Sequence, residues 1–206
     1  MSQPKPKSPF ELTGGSLCLD FANTVDNRTS EQATELLTDY SRLLRWGEES
    51  GAITRKTAEK LNHLAAESPN NAQLAVRRAI QLRDAIYDLF SAVAQRRGIP
   101  STALGIVNRA AQVASEHAQV VSTNRHFDWD WISPESHLDS VLWPVARAAA
   151  ELLTSDDLAK VRQCASETCA WVFLDKTKNH RRRWCDMKTC GNRDKARRYY
   201  QRQKAG

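Results

Sequence analysis

Apolar residues in the first three quarters of the chain recur every three or four positions. This spacing places them on one face of a helix, so each segment that shows it is predicted to be helical. Thr54 is suited to cap the start of one helix, and Gly51 and Gly98 suit the ends of two others. The segments with this spacing are residues 33–51, 54–68, 71–98, 101–115 and 138–155.

Between the segments 101–115 and 138–155, apolar residues recur at every second position instead. Phe127, Trp129 and Trp131 alternate with Asp128 and Asp130. Alternation of apolar and polar residues is typical of a half-buried strand. A hairpin of two short strands is therefore predicted within residues 118–133.

Charge divides the chain into two parts. Residues 160–206 hold fourteen Lys or Arg and four Asp or Glu, a net charge of +10, whereas the whole chain carries only +6. Residues 1–159 are therefore mildly acidic. This change predicts a helical domain at 10–159 and a basic module at 160–206, after a disordered lead-in at 1–9. Such asymmetry favours a polyanionic partner for the module.

The sequence contains no run of about 18 apolar residues, so neither a transmembrane helix nor a membrane partner is expected. The first ten residues lack the apolar segment and the cleavage site of a secretory signal. We therefore expect a cytoplasmic protein whose clustered thiols stay reduced, which disfavours disulfides.

Four of the five cysteines form two pairs. Four residues separate Cys164 from Cys169, four separate Cys185 from Cys190, and fifteen lie between the pairs. This spacing is typical of a tetrahedral zinc site with four thiolates. A redox centre would usually carry a C-x-x-C motif, which is absent, and His180 lies in a predicted turn away from the pairs. We predict one structural Zn²⁺ held by these four cysteines.

The residues around the pairs predict a small metal-bound fold. The β-prone stretch 171–175, the turn-like stretch 176–180 and the stretch 181–185 are expected to form a hairpin, and residues 194–203 a helix. The predicted fold class is thus mainly α. A helical N-terminal domain with a short β-hairpin is followed by a treble-clef-like zinc finger made of a β-hairpin and a helix.

Basic residues surround the cysteine pairs. On the last helix, Ala196, Tyr199 and Tyr200 share a face that is predicted to pack on the zinc module, with basic residues outside. Some cations offset the negative charge of a four-thiolate site. The others favour contact with nucleic acid over mere solvation or a protein partner. The candidate contact residues are Arg181, Arg182, Arg183, Arg193, Lys195, Arg197, Arg198 and Arg202.

The helical domain offers weaker candidates. Asp20, Asn23 and Arg28 could line a ligand pocket, although local capping and a buried salt bridge are favoured for them. No nucleophile elbow, phosphate-binding glycine loop or H-E-x-x-H motif occurs in the sequence, so we do not expect an enzyme. The tryptophans interpreted as core rather than as walls of a ligand cavity are Trp46, Trp129, Trp131 and Trp143.

The tetrapeptide CGNR at residues 190–193 resembles the signature of the CGNR zinc-finger family of bacteria, as do the flanking stretches WVFLD, TKN, RRWC and KARR. The stretches LCLDFANTVDNR (17–28), LLRW (43–46) and LRDAIYDLF (82–90) resemble the ABATE domain, a family associated with stress-induced regulation of transcription. The resemblance implies a zinc finger that binds DNA, carried here by the four cysteines and the arginines around them.

These observations predict a DNA-binding transcriptional regulator. The finger would contact DNA, and the helical domain would serve dimerisation or ligand sensing. The alternative is a zinc-stabilised adaptor whose basic surface binds RNA or an acidic protein. A homodimer is expected because a single small finger rarely supplies enough specificity by itself.

Overall fold

A computed structural model describes residues 8–204 of the chain. Of the predicted lead-in at 1–9, residues 1–7 lie outside this range, and Ser8 donates a hydrogen bond to Glu49. The helices are α1 (Leu17–Ala22), α2 (Tyr40–Glu49), α3 (Arg55–Glu67), α4 (Pro69–Ala94), α5 (Ser101–Glu116), α6 (Leu142–Leu153) and α7 (Asn192–Lys204). The strands are β1 (Val25–Asp26), β2 (Thr34–Glu35), β3 (Ala118–Ser122), β4 (Phe127–Trp131), β5 (Val161–Gln163) and β6 (Val172–Leu174).

The predicted mainly α fold class is confirmed. The side chain of Thr54 accepts the backbone N–H of Thr57 at 3.1 Å and caps α3 as expected. Asp39 caps α2 in the same way, accepting the backbone N–H of Arg42 at 3.0 Å. Pro69 occupies the first turn of α4, where its missing N–H costs no hydrogen bond.

The main core lies around α4, the longest helix. Side chains from α1, α2, α5 and α6 pack against it, and Trp46 and Phe21 meet with ring centroids 4.7 Å apart. Trp46 and Trp143 are buried as expected, and Trp131 is half-buried. The interpretation of Trp129 as core is wrong, since its side chain is 59 % exposed. Within residues 8–204, no helix is long and apolar enough to cross a membrane.

The predicted hairpin between α5 and α6 is present. Strands β3 and β4 are antiparallel, with Val120 opposite Trp129 and Ser122 opposite Phe127. These residues lie on one face of the hairpin, because side chains alternate between faces along a strand. That face points to solvent rather than into the core, which explains the exposure of Trp129.

The hairpin of the C-terminal module differs from the prediction. Strand β5 pairs with β6, Val161 opposite Leu174, whereas the stretch 181–184 forms no strand. The buried Asp175 accounts for the difference, because its carboxylate accepts the backbone N–H of Thr177 at 3.0 Å and of Arg182 at 2.8 Å. These bonds close a loop after β6, so the chain does not return as a second strand.

Strands β5 and β6 join the C-terminal module to the helical domain. Val161, Val172 and Leu174 belong to the same apolar cluster as α1 and α4. The two parts of the chain therefore share a core, although their charges differ and the predicted boundary at residue 160 lies just before β5.

Candidate metal centre and basic surface

The four paired cysteines come together at one point. Cys164 and Cys169 lie in the loop between β5 and β6, and Cys185 and Cys190 lie just before α7. All four side chains are buried, and their Sγ atoms lie within 4.8 Å of one another. The Sγ atoms of Cys169 and Cys185 are 3.6 Å apart, and those of Cys185 and Cys190 are 3.7 Å apart.

These distances fit a metal ion and not a disulfide. A tetrahedral zinc site with Zn–S bonds of about 2.3 Å places its sulfur atoms about 3.8 Å apart, whereas bonded sulfur atoms lie about 2.05 Å apart. Four thiolates fill a tetrahedral coordination sphere, so no position is left for substrate or catalytic water. The donor set is that of a structural zinc site.

The close packing of the four thiols shifts the pKa values of two of them in opposite directions. Hydrogen bonds, the largest from the Cys169 thiol, lower the pKa of Cys164. Hydrogen bonds, the largest with Cys164, raise the pKa of Cys185. Thiols packed this closely share their protons, because several thiolates without a cation would repel one another. A bound divalent cation removes that repulsion and favours four thiolates.

The turn that carries Cys190 is organised by side chains near it. Asp186 accepts the backbone N–H groups of Lys188 and Thr189, the latter at 3.2 Å. A Cβ on Gly191 would lie 2.7 Å from the Sδ atom of Met187. Met187 is 46 % exposed, so its flexible side chain can shift to admit a Cβ, and this contact alone does not require glycine at position 191. No sequence pattern had indicated this role of Asp186.

The finger is bound to the helical domain by buried hydrogen bonds. The amide of Asn23 donates to the carbonyl of Val172 at 2.9 Å and accepts the Val172 N–H at 3.0 Å. The indole N–H of Trp171 donates to the carbonyl of Val25 at 2.7 Å. Together these bonds hold strand β6 against the end of α1.

The three candidate pocket residues all make contacts within the protein. Asp20 accepts the backbone N–H of Gly14 at 2.7 Å, and Asn23 binds Val172 as described above. Arg28 donates to the carbonyl of Ala22 at 3.0 Å and pairs with Asp84 at 3.3 Å. The interpretation as local capping and a salt bridge describes Asp20 and Arg28 but not Asn23, whose partner Val172 lies 149 positions away.

The eight candidate nucleic-acid residues fall into three groups. Arg193 and Arg197 lie against the loop of the first cysteine pair, where Arg193 donates to Thr168 at 3.3 Å and Arg197 pairs with Glu167. Arg182 points inward. The other five are exposed, as Arg193 is, and form what we call the basic face, which consists of Arg181, Arg183, Lys195, Arg198 and Arg202. Of these five, Arg198 pairs with Asp194 on the same helix.

Arg182 has an internal role that the sequence interpretation missed. Its guanidinium lies 4.5 Å from the ring centroid of Phe173, and its Nε donates to the carbonyl of Trp184 at 2.9 Å. It also donates to the carbonyl of Cys185. These bonds orient the backbone that leads to the third cysteine, so its guanidinium is not presented to a phosphate.

The basic face spans two elements that meet at Trp184. Arg183 and Arg198 lie 5.1 Å and 6.0 Å from the centroid of its ring. Lys195, Arg198 and Arg202 lie on one side of α7, since residues three and four apart are neighbours on a helix. The loop arginines and the helix thus present charge on adjacent surfaces.

The prediction that Tyr199 and Tyr200 pack on the zinc module is wrong. The two residues are 61 % and 66 % exposed. The side of α7 that faces the finger instead carries Arg197, which pairs with Glu167 in the loop between Cys164 and Cys169. This ion pair, rather than an apolar face, joins the helix to the loop of the first cysteine pair.

A helical domain that shares its core with a four-cysteine finger defines a zinc-finger protein. The chain belongs to the ABATE family, described as "Putative stress-induced transcription regulator", which matches residues 15–156. Residues 160–203 match the CGNR zinc finger. Both resemblances inferred from the sequence are confirmed. Comparison with curated proteins finds no match to the chain.

Proposed function

We propose that this protein is a non-catalytic, cytoplasmic regulator of transcription that binds DNA through its zinc finger. One zinc ion, held by the four cysteines, fixes the loop 181–184 relative to α7. The observation that carries the proposal is the basic face, because its five cations are exposed on a surface held in place by the metal centre. Such a surface suits the phosphates of a nucleic acid.

The proposal is tested by measuring binding to labelled duplex DNA by fluorescence anisotropy over a salt series. Contact of the basic face with about five phosphates gives a slope of log K against log salt near −4 to −5. In the triple variant Arg183→Gln/Lys195→Gln/Arg202→Gln, the slope should fall in magnitude by about 3, while zinc content stays unchanged.

A matched control removes the same number of exposed charges from the helical domain. The variant Lys56→Gln/Arg77→Gln/Arg125→Gln should bind DNA with the slope of the unmodified protein. An equal loss in both variants would show that net charge, and not the basic face, drives binding. Absence of binding by the unmodified protein even at 50 mM salt would contradict the DNA proposal.

One observation supports RNA as a second candidate partner. Tyr199 and Tyr200 are exposed beside the basic residues of α7, and exposed aromatic rings stack on the bases of single strands. Tighter binding to single-stranded RNA than to duplex DNA, lost in Tyr199→Ala/Tyr200→Ala, would favour this candidate. A protein partner is favoured instead if a stable complex forms without any nucleic acid.

For homodimerisation, the structure offers the apolar face of the β3–β4 hairpin. Val120, Phe127 and Trp129 are 59 %, 74 % and 59 % exposed on that face, and a two-stranded sheet has edges that a second hairpin can extend. Sedimentation velocity of Phe127→Ser/Trp129→Ser should show a monomer where the unmodified protein shows a dimer. A dimer that survives both substitutions rules out this surface.

A further inference from the structure

A two-lobed cleft opens in the helical domain, far along the chain from the cysteines. Its lobes have volumes of about 300 Å³ and 340 Å³ and share Arg78, Val113, Asp139 and Trp143. Sites for small organic ligands begin at about 300 Å³. The cleft therefore has room for a ligand of modest size.

The two lobes differ in chemistry. The walls of the smaller lobe are mainly apolar and include Leu82, Ile106 and Leu142. The larger lobe is more polar and includes His117 and His137. A ligand that fills both lobes must have an apolar body and at least one polar group.

Two residues that line both lobes each have a buried polar atom with no hydrogen-bond partner among residues 8–204. Trp143 is 3 % exposed, and its indole N–H finds no acceptor. The Oδ1 atom of Asp139 finds no donor, although its Oδ2 atom pairs with Arg78. Buried polar atoms normally have partners, so the site lacks one acceptor and one donor. A single hydroxyl group supplies both.

The charges of the cleft leave one cation without a counterion. Arg78 is neutralised by Asp139. Arg109 is exposed at the smaller lobe and forms no ion pair with any residue in the described part of the chain. One negative charge on the ligand would complement it.

We propose that this cleft binds a hydroxylated aromatic carboxylic acid. The ring lies against the apolar lobe, the hydroxyl group bonds Trp143 and Asp139, and the carboxylate faces Arg109. Both atoms are buried, so the hydroxyl group reaches them only after neighbouring side chains shift. The proposal rests on the ligand-sensing part of the proposed function and does not depend on DNA binding.

The experiment is isothermal titration calorimetry of the full chain, without DNA, with three probes that differ by one group each. 4-Hydroxyphenylacetate has all the required groups, phenylacetate lacks the hydroxyl group, and 4-hydroxyphenylethanol lacks the carboxylate. A ligand of this size is expected to bind with a Kd of about 0.1–1 mM. Each incomplete probe should bind at least about tenfold more weakly, because it leaves a protein group unpaired.

Two variants assign the contacts. Arg109→Gln should weaken the binding of 4-hydroxyphenylacetate and leave the binding of 4-hydroxyphenylethanol unchanged. Asp139→Asn should reduce the difference in affinity between 4-hydroxyphenylacetate and phenylacetate. The matched control Arg125→Gln, at the exposed tip of the β3–β4 hairpin, should behave like the unmodified protein. Circular dichroism verifies that each variant is folded.

The proposal is overturned if none of the three probes binds with a Kd below 10 mM, or if phenylacetate binds as tightly as 4-hydroxyphenylacetate. The first result would show that the cleft does not accept this class of ligand, and the second would show that the two buried atoms do not bind its hydroxyl group. DNA binding measured by anisotropy would be unaffected by that outcome, so failure of this inference and failure of the DNA proposal are distinguishable.

Discussion

Asn23 joins the two parts of the chain with one amide group. Its side chain makes both hydrogen bonds that a neighbouring strand would otherwise make to Val172. Only Asn and Gln carry a donor and an acceptor arranged like a peptide group. The sequence suggested local capping, or else a ligand pocket, for Asn23. Neither describes its actual role, because its partner lies 149 positions away.

Replacing Asn23 by alanine should lower the free energy of unfolding by about 2–4 kcal/mol, since it leaves the buried N–H and C=O of Val172 without partners. Urea denaturation measures this loss. The control Asn62→Ala, at an exposed position of α3, should change stability by less than about 0.5 kcal/mol. Equal effects in the two variants would show that the amide bonds do not stabilise the fold.

Burial raises the pKa of Asp20 to about 6, although the hydrogen bond from Gly14 opposes the shift. The folded state therefore binds this proton more tightly than the unfolded chain does, and the difference stabilises the fold. That stabilisation is complete below about pH 4 and is lost as the pH rises through 6. Partial solvent screening limits the loss to about 1–2 kcal/mol.

The variant Asp20→Asn should therefore gain stability relative to the unmodified protein between pH 4 and pH 7. Thermal unfolding at several pH values measures the difference. The control is Asp88→Asn, at an exposed position on α4. Its difference in stability from the unmodified protein should stay the same at every pH of the scan. A constant difference for Asp20→Asn as well would mean that the pKa of this carboxyl is not raised.

At the scale of elements, periodicity predicted helices α2 to α6 and the β3–β4 hairpin, because each of these is held by local patterns. It missed the short helix α1 and began α2 at residue 33, where the structure has strand β2 and α2 begins at Tyr40. The hairpin of the finger was misplaced because β5 and Asp175 act together. Asp175 closes the loop after β6 through Arg182, seven residues further on, and β5 pairs with β6 across the first cysteine pair. Strand propensity at 181–185 could not reveal this competition.

Two adjacent arginines on this loop should respond to substitution in opposite ways. Arg182→Gln should reduce stability by about 1–3 kcal/mol, because it removes bonds to the carbonyls of Trp184 and Cys185. It should leave the salt slope of DNA binding unchanged. Arg183→Gln should leave stability unchanged and reduce that slope by about 0.9.

Urea denaturation and the anisotropy salt series are run on both variants. A change in the slope with Arg182→Gln, at full zinc content, would show that this side chain turns outward to meet a phosphate. Arg182 would then contribute both to the stability of the fold and to DNA binding.

At the scale of the whole molecule, the four metal ligands could be predicted from their spacing, since that spacing directly reflects the geometry of the site. The core that the helical domain shares with the C-terminal module could not be predicted in this way. The change of charge near residue 160 suggested two separate units, but charge is a surface property and does not show where apolar residues pack. Val161, Val172 and Leu174 lie inside the apolar cluster of the helical domain.

Removing zinc should therefore destabilise the entire chain and not only the finger. Loss of the metal releases the loops on either side of β6, and β6 contributes to the main core. We expect a chelator under reducing conditions to lower the melting temperature of the helices by at least about 6 °C. Circular dichroism measures this temperature. Added zinc should restore it.

The matched variants are Cys169→Ala and Cys18→Ala. Cys18 is fully buried in the helical domain and away from the metal ligands, so its variant should retain zinc, whereas Cys169→Ala should lose it. Helices that melt at an unchanged temperature after zinc removal would show that the finger folds and unfolds independently.

The bond between Asn23 and Val172 also has a consequence for how the protein is made. A ribosome adds about 5–20 residues per second, so the 149 positions between the two partners require about 8–30 s to synthesise. Throughout that time the end of α1 waits with its amide and apolar surface uncovered. Nascent chains arrested before β6 emerges should be cleaved by protease within the helical domain and recruit chaperones, whereas released chains should resist.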